Sequence, residues 1–225
     1  MSDAPSLPSA ASEPASPPVL VADRLVFSHP RRHVFNGWSA GFGKGLTWLR
    51  GANGSGKSTL LHLLAGALSP QAGTLAVLGI DARVDPVAYR REVFLCGAGA
   101  IAFDHLRPSE FFAFMRGFYP RFDTASARSH AHAFGLEPHL DLRLASLSTG
   151  SQRKVWIAAA LAAGSAVVLM DEPTHALDAA SLAYLRQALQ HRAEARGQAW
   201  IVTSHEPLGA AADHAAVVDL ASPTA

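Results

Sequence analysis

The sequence is short of cysteine, of net charge and of uninterrupted apolar stretches, and each shortage excludes a class of protein. Cys96 is the single cysteine among 225 residues, which rules out an internal disulfide and a cysteine-ligated metal site. One thiol suits a reducing compartment, and Cys96, in the run VFLC, reads as a small apolar residue on a buried strand. Lysine and arginine number 19 against 18 acidic residues, for a net charge of +1. With no long basic run, there is no footprint for nucleic acid or for an anionic membrane. The longest apolar run, VWIAAALAAGSAVVLM at 155–170, is Ala-rich and broken by Gly164 and Ser165. It falls short of the roughly 20 residues that cross a bilayer and reads as a buried helix followed by a buried strand. The opening MSDAPSLPSAASEPASPP lacks apolar periodicity, and it lacks the basic start and apolar core of a secretory signal. The expectation is a disordered tail over 1–18 and one folded domain over 19–225.

What the chain does have is an ordinary apolar content of 49%, enough for a core at this length. VLVADRLVF, from Val19, is rich in strand formers and bounded by proline. HPRRH reads as a turn, VFNGWSAGF as a second strand, and LTWLR at 46–50 as a short strand running into a Gly-rich loop. STLLHLLAGAL then has leucines at helical spacing and stops at the turn signal SPQAG. TLAVLGI and EVFLC read as further strands. Across 107–146 the character changes: PSEFFAFMRGFYP and TASARSHAHAFGL predict two or three amphipathic helices, a mostly helical insertion bounded at about 107–150. The remainder alternates: an Ala-rich helix, strand AVVLM, helix AASLAYLRQALQHRAEAR, strand AWIVT, a short helix near Pro207 and strand HAAVVDL. That alternation predicts an α/β fold, a parallel sheet with crossover helices.

The chemistry concentrates at two points. GANGSGKST at 51–59 lies between a strand and a helix, the context that the phosphate-loop pattern G-x-x-x-x-G-K-[ST] requires. Gly51, Gly54 and Gly56 permit positive φ, so successive N–H groups can converge on one anion. The helix N-terminus behind them adds partial positive charge. Gly51, Ala52, Asn53, Gly54, Ser55, Gly56, Lys57, Ser58 and Thr59 are all assigned to the nucleotide. Lys57 reaches the β- and γ-phosphates, and the Ser58 hydroxyl is a magnesium ligand. The second point is AVVLMDEP, a buried strand from which Asp171 and Glu172 emerge. Asp171 is assigned to Mg²⁺, and Glu172 to the water that attacks the γ-phosphate. His205, in WIVTSHE, falls beyond another strand at the same edge of the sheet, where open α/β sheets bind their ligands.

The order phosphate loop, helical insertion, LSTGSQRK, AVVLMDEPTHALD, VTSHE resembles the ATP-binding-cassette ATPase family over residues 19 to about 220. The resemblance implies a P-loop fold with a mostly parallel sheet, an antiparallel β subdomain and a small helical insertion. In that family the stretch similar to LSTGSQRK caps the γ-phosphate of nucleotide bound to the opposite subunit, which here falls to Ser148 and Gly150 at a helix tip. The resemblance further places His29 where an aromatic stacks on adenine and Asp178 at the aspartate linking two shared sites. It implies ATP and Mg²⁺ as ligands and a homodimer, or a heterodimer with a related ATPase subunit. It also implies a transmembrane permease as partner, no nucleic acid, and a cytoplasmic subunit on the inner face of the membrane, of exporter type.

Three positions depart from the family pattern. Thr149 replaces a signature glycine, and His175 replaces a small residue. There is no glutamine between Gln71 and Gln152, so the family's magnesium-touching glutamine, due near Gly97 or Ala98, is missing. These departures leave open a regulatory or hydrolysis-impaired subunit. A nucleic-acid or repair ATPase on the same cassette is the other alternative, although the basic patches or second cassette it calls for are not in the sequence.

Overall fold

The run ending at Met170 reads as continuously apolar because a sheet buried on both faces has no polar side. The computed structural model describes residues 17–30, 32–97 and 103–220. Nearly all of the expected tail, and Ala98, one of the two positions near which the family's glutamine is due, lie outside that range. In β7 (Val167–Met170), Val167 and Leu169 enter one core while Val168 and Met170 enter another. Its neighbour β8 (Ala199–Thr203) sends Ala199 and Ile201 to the first and Trp200 and Val202 to the second. This period-two division makes the central sheet a partition between two hydrophobic clusters.

That sheet is parallel, five strands in the order β6-β7-β8-β3-β9, with β3 (Gly45–Arg50), β6 (Val93–Cys96) and β9 (Ala216–Asp219). A second sheet, antiparallel in the order β2-β1-β4-β5, is built from β1 (Leu20–His29), β2 (Arg32–Phe42), β4 (Ala72–Val77) and β5 (Ile80–Asp81). The expected HPRRH turn is tighter than the sequence implied: His29 pairs with Arg32, so strand pairing runs to the tip of the hairpin. TLAVLGI is not one strand either. Leu78 and Gly79 both take positive φ and fold it into the β4–β5 hairpin. Where β4 meets a bulge in β1, Gly73 (φ +89) is required, since a Cβ there would lie 2.4 Å from the Arg24 carbonyl.

Helix α1 (Lys57–Leu64) packs Leu60, Leu61, Leu63 and Leu64 between the two sheets. Short α2 (Pro86–Arg91) was not anticipated; Asp85 caps it and the buried Tyr89 hydroxyl donates to the Leu64 carbonyl at 2.7 Å. Six residues with one inward apolar side chain give too little periodicity to detect. The second core lies under α3 (Pro108–Phe118), α4 (Thr124–Ala133), α5 (Thr149–Ala162) and α6 (Ala179–Ala195). Phe111 and Phe112 of α3 are wholly buried, and Phe111 packs at a tilt against Trp156 of α5, ring centroids 4.7 Å apart. Each such ring contributes about 1.5–3 kcal/mol by burial, which fastens the insertion to the sheet domain. The short helix expected near Pro207 is a 3-10 segment, Gly209–His214. Among the described residues no helix is long and apolar enough to cross a membrane.

Cys96 ends β6 in the core, and burial pushes its thiol up to about 12. At pH 8 the native protein should therefore resist alkylation, whereas the denaturant-unfolded chain should label fully. Rapid native labelling, followed by mass spectrometry, would contradict this placement.

Candidate functional site

Parallel pairing brings β3, β7 and β8 to the same edge of the sheet, and each continues into one of the motifs singled out above. After Arg50 the chain enters the phosphate loop, after Met170 come Asp171 and Glu172, and after Thr203 comes Ser204 and then His205. The ends of these strands enclose a cleft of about 270 Å³. His29, Asn53, Gly54, Gly56, Lys57, Ser58, Thr59, Asp171, Glu172 and His205 line it, together with Arg32 and Val34 from the β1–β2 hairpin.

The loop is tightly folded. Gly56 caps α1 at φ +99, and a side chain there would press a Cβ to 2.7 Å from Val34. Ser55 N–H donates to the Ala52 carbonyl at 3.0 Å. Lys57 is buried, and its Nζ spans the loop, donating to the Gly51 carbonyl at 2.8 Å and the Ala52 carbonyl at 3.3 Å. Arg32 donates to the Gly54 carbonyl at 2.5 Å, which adds a second cation beside the loop. His29 shares a 3.3 Å hydrogen bond with Thr59 Oγ1 and meets Phe27 edge-on.

Across the cleft, Glu172 takes φ +47, a left-handed conformation seldom adopted by a residue with a side chain. Its N–H donates to Thr203 Oγ1 at 2.8 Å, and its Oε2 accepts from the His205 N–H at 3.1 Å. Its other oxygen, Oε1, is enclosed without a hydrogen-bond partner and faces His205 Nε2 at 3.4 Å. Asp171 Oδ1 accepts from Thr203 Oγ1 at 2.8 Å. Ser58 and Asp171 offer a hydroxyl and a carboxylate oxygen to one small space. That donor set fits Mg²⁺, which binds a few protein oxygens and completes its shell with phosphate and water.

Ser148, Gly150 and Asp178 stand outside the cleft. Ser148 caps α5, accepting from the Ser151 N–H at 3.1 Å, and is exposed together with Thr149. Gly150 is packed so closely on the segment after Glu172 that a Cβ would lie 2.7 Å from the Ala176 carbonyl. Asp178 caps α6, accepting from the Ser181 N–H at 2.9 Å, and pairs with Lys154 of α5 at 2.5 Å. The Lys154 ammonium holds the Asp178 carboxyl well below the usual carboxylate range. Arg153, also on α5, donates to the Asp171 carbonyl at 3.2 Å.

Three residues escaped the sequence reading. Arg32 and Val34 reach the cleft through a hairpin for which the sequence has no local signal. Thr203 had one: it stands two residues before His205 in WIVTSHE, and strand alternation puts it on the same face of β8 as Ala199 and Ile201.

Comparison with known proteins bears on family and fold. The family model described as ABC transporter matches residues 41–175. The rat phospholipid-transporting ATPase ABCA3 is 35% identical over 150 residues, which cover 65% of this chain and 9% of that protein. The Mycobacterium tuberculosis molybdenum import ATP-binding protein ModC is 35% identical over 173 residues, 70% of this chain and 46% of that one. The chain thus spans less than half the length of the curated relatives it matches. Among solved structures, an ATP-binding subunit of an ABC transporter superposes with TM-score 0.77 at 23% identity, covering 91% of this chain and 86% of the other. A dimeric ATP-binding cassette in a post-hydrolysis state, bound to ADP and phosphate, gives 0.75 at 20% identity over 90% and 94%. These last two likenesses concern the fold, whereas the family model, spanning more than half the residues, settles membership: the chain belongs to the ABC transporter family, as an ATPase cassette of it.

Proposed function

We propose that this cassette binds and hydrolyses MgATP in a shared, two-chain site and drives a separate transmembrane permease, as the motor of an export system. The observation that carries the reading is the single cleft that gathers Lys57, Ser58, Asp171, Glu172 and His205. In it, Lys57 and the loop amides hold the triphosphate, and His29 lies against the base. Ser58 and Asp171 hold Mg²⁺, which supplies charge neutralisation at the phosphate oxygens. Glu172 Oε1, with a free lone pair, takes a proton from water as the water oxygen bonds to the γ-phosphorus. The bond to the bridging oxygen breaks, and ADP leaves with that electron pair. His205 steadies the Glu172 carboxylate and faces the transferring group. Ser148, exposed at the tip of α5, and the half-buried Gly150 behind it present that helix N-terminus to the γ-phosphate of a second copy, or of a related chain. Thr149 is exposed there rather than wedged against its own chain, so it does not distort the tip.

A partner surface adjoins the site. A largely apolar groove of about 630 Å³ lies between α2, β6 and α3, where Phe118 and Val87 are each 55% exposed and Arg90 and Arg91 stand at the edge. Exposed rings lining a groove suit a protein partner, and we assign this one to the membrane subunit. Bound there, the cassette sits on the inner face of the membrane, and the partner sets the cargo.

Three outcomes test this reading. Glu172→Gln should lower kcat by about 10²–10⁴-fold while retaining ATP binding, and should accumulate as a nucleotide-bound dimer in size-exclusion chromatography; wild-type turnover in that variant would remove Glu172 from its role. Ser148→Arg should abolish cooperative hydrolysis and leave nucleotide affinity of the isolated chain within about twofold, so undiminished cooperativity would rule out the shared site. Phe118→Asp should leave nucleotide affinity intact yet release the protein from washed membranes containing its partner. Retention on those membranes would place the contact elsewhere.

A further inference from the structure

Thr203 is wholly buried at the last position of β8, a place where strand alternation elsewhere puts Ala199 and Ile201. Its hydroxyl meets both acidic residues at once. It donates to Asp171 Oδ1 at 2.8 Å and accepts from the Glu172 N–H at 2.8 Å. The Met170 carbonyl, at 3.4 Å, is the more distant acceptor. A hydroxyl has one proton and two acceptor lone pairs, so the two short bonds are compatible and both are satisfied. We infer that Thr203 is a positioning residue for the hydrolytic site, holding the metal-binding carboxylate of Asp171 and the backbone of Glu172 in one fixed relation; this rests on the ATPase reading above.

The geometry supports a role beyond packing. The bond to Asp171 is charge-assisted, hence stronger than a neutral one, and it engages only Oδ1. Oδ2 has no hydrogen-bond partner among the described residues, and Asp171 lines the cleft together with Ser58. At Glu172 the backbone is held at φ +47 by this N–H bond on one side and by the His205 N–H on its carboxylate on the other. Such conformations persist where the surroundings over-determine them. Without the hydroxyl, the half-buried Glu172 amide loses its partner, and its backbone relaxes toward the extended region, which swings the carboxylate away from His205. Sequence parity at this strand position would accept valine; chemistry at the site would not.

The test compares Thr203→Val and Thr203→Ser in the full chain, with a fluorescent ATP analogue as probe. Expected for Thr203→Val are metal-free nucleotide affinity within about twofold of wild type and a Mg²⁺ half-saturation for tight binding raised by about tenfold, in line with the 10–100-fold cost typical of removing groups that orient metal ligands. Its kcat should fall by about 10–100-fold with KM changed less than about threefold, as for loss of an interaction made at the transition state. Thr203→Ser, which restores the hydroxyl, should recover most of both. Thr203→Ala carries the same expectation as valine should the valine variant fold poorly. Wild-type magnesium dependence and kcat in Thr203→Val would overturn the inference, and so would an equal loss of metal-free affinity in the serine and valine variants, which indicates mere structural damage. A wild type that binds MgATP without turning it over would overturn the hydrolysis reading instead, and the magnesium titration would still decide the place of Thr203.

Discussion

The pairing of β7 with β8 is the constraint on which the remaining geometry depends. Both strands are buried on both faces, so each side chain has only one acceptable core to enter. A slip of one residue would send all of them to the wrong side. The observed register opposes Met170 and Val202, and the next residue on each strand is then Asp171 and Thr203. The acidic pair is thus placed by hydrophobic burial several residues upstream of it. No polar interaction at the site has to specify where the strands end. The polar contacts refine an arrangement that the apolar partition has already imposed.

Electrostatics inside the cleft follow from that placement. Two cations, Lys57 and Arg32, lie on the loop side, and two carboxylates, Asp171 and Glu172, project from the facing strand. The loop side suits phosphate oxygens, the acidic side suits a hard cation and a water, and a magnesium–triphosphate complex presents both faces. Glycine enters this picture sparingly. Gly56 is needed because Val34 leaves no room for a side chain at the turn into α1.

Much of this was legible in the sequence where a motif and an element boundary coincide. GANGSGKST and AVVLMDEP each announce both their chemistry and the strand that delivers it, and the alternation of strands and helices after residue 147 gave the parallel sheet. What stayed hidden depends on contacts distant in sequence. Arg32 is 22 positions from Gly54, in a segment that reads as an unremarkable turn. Thr203 is 32 positions from Asp171, and its importance arises from register, a property of two strands together. Short α2 and the β4–β5 break escaped for a different reason, since elements of a few residues have no measurable period. Of the two positions near which the family's glutamine is due, Gly97 ends a described stretch and Ala98 lies outside the described residues.

The attachments of α5 have a mechanical consequence. Through Lys154 this helix is tied to the cap of α6, through Arg153 to the Asp171 carbonyl, and at Gly150 it rests directly on the backbone near Ala176. The tip it offers outward and the acidic wall of its own cleft are consequently parts of one lever. In the head-to-tail pair proposed above, tightening around one nucleotide would then shift the surface presented to the other, gearing the two chambers together rather than leaving each to fire at random.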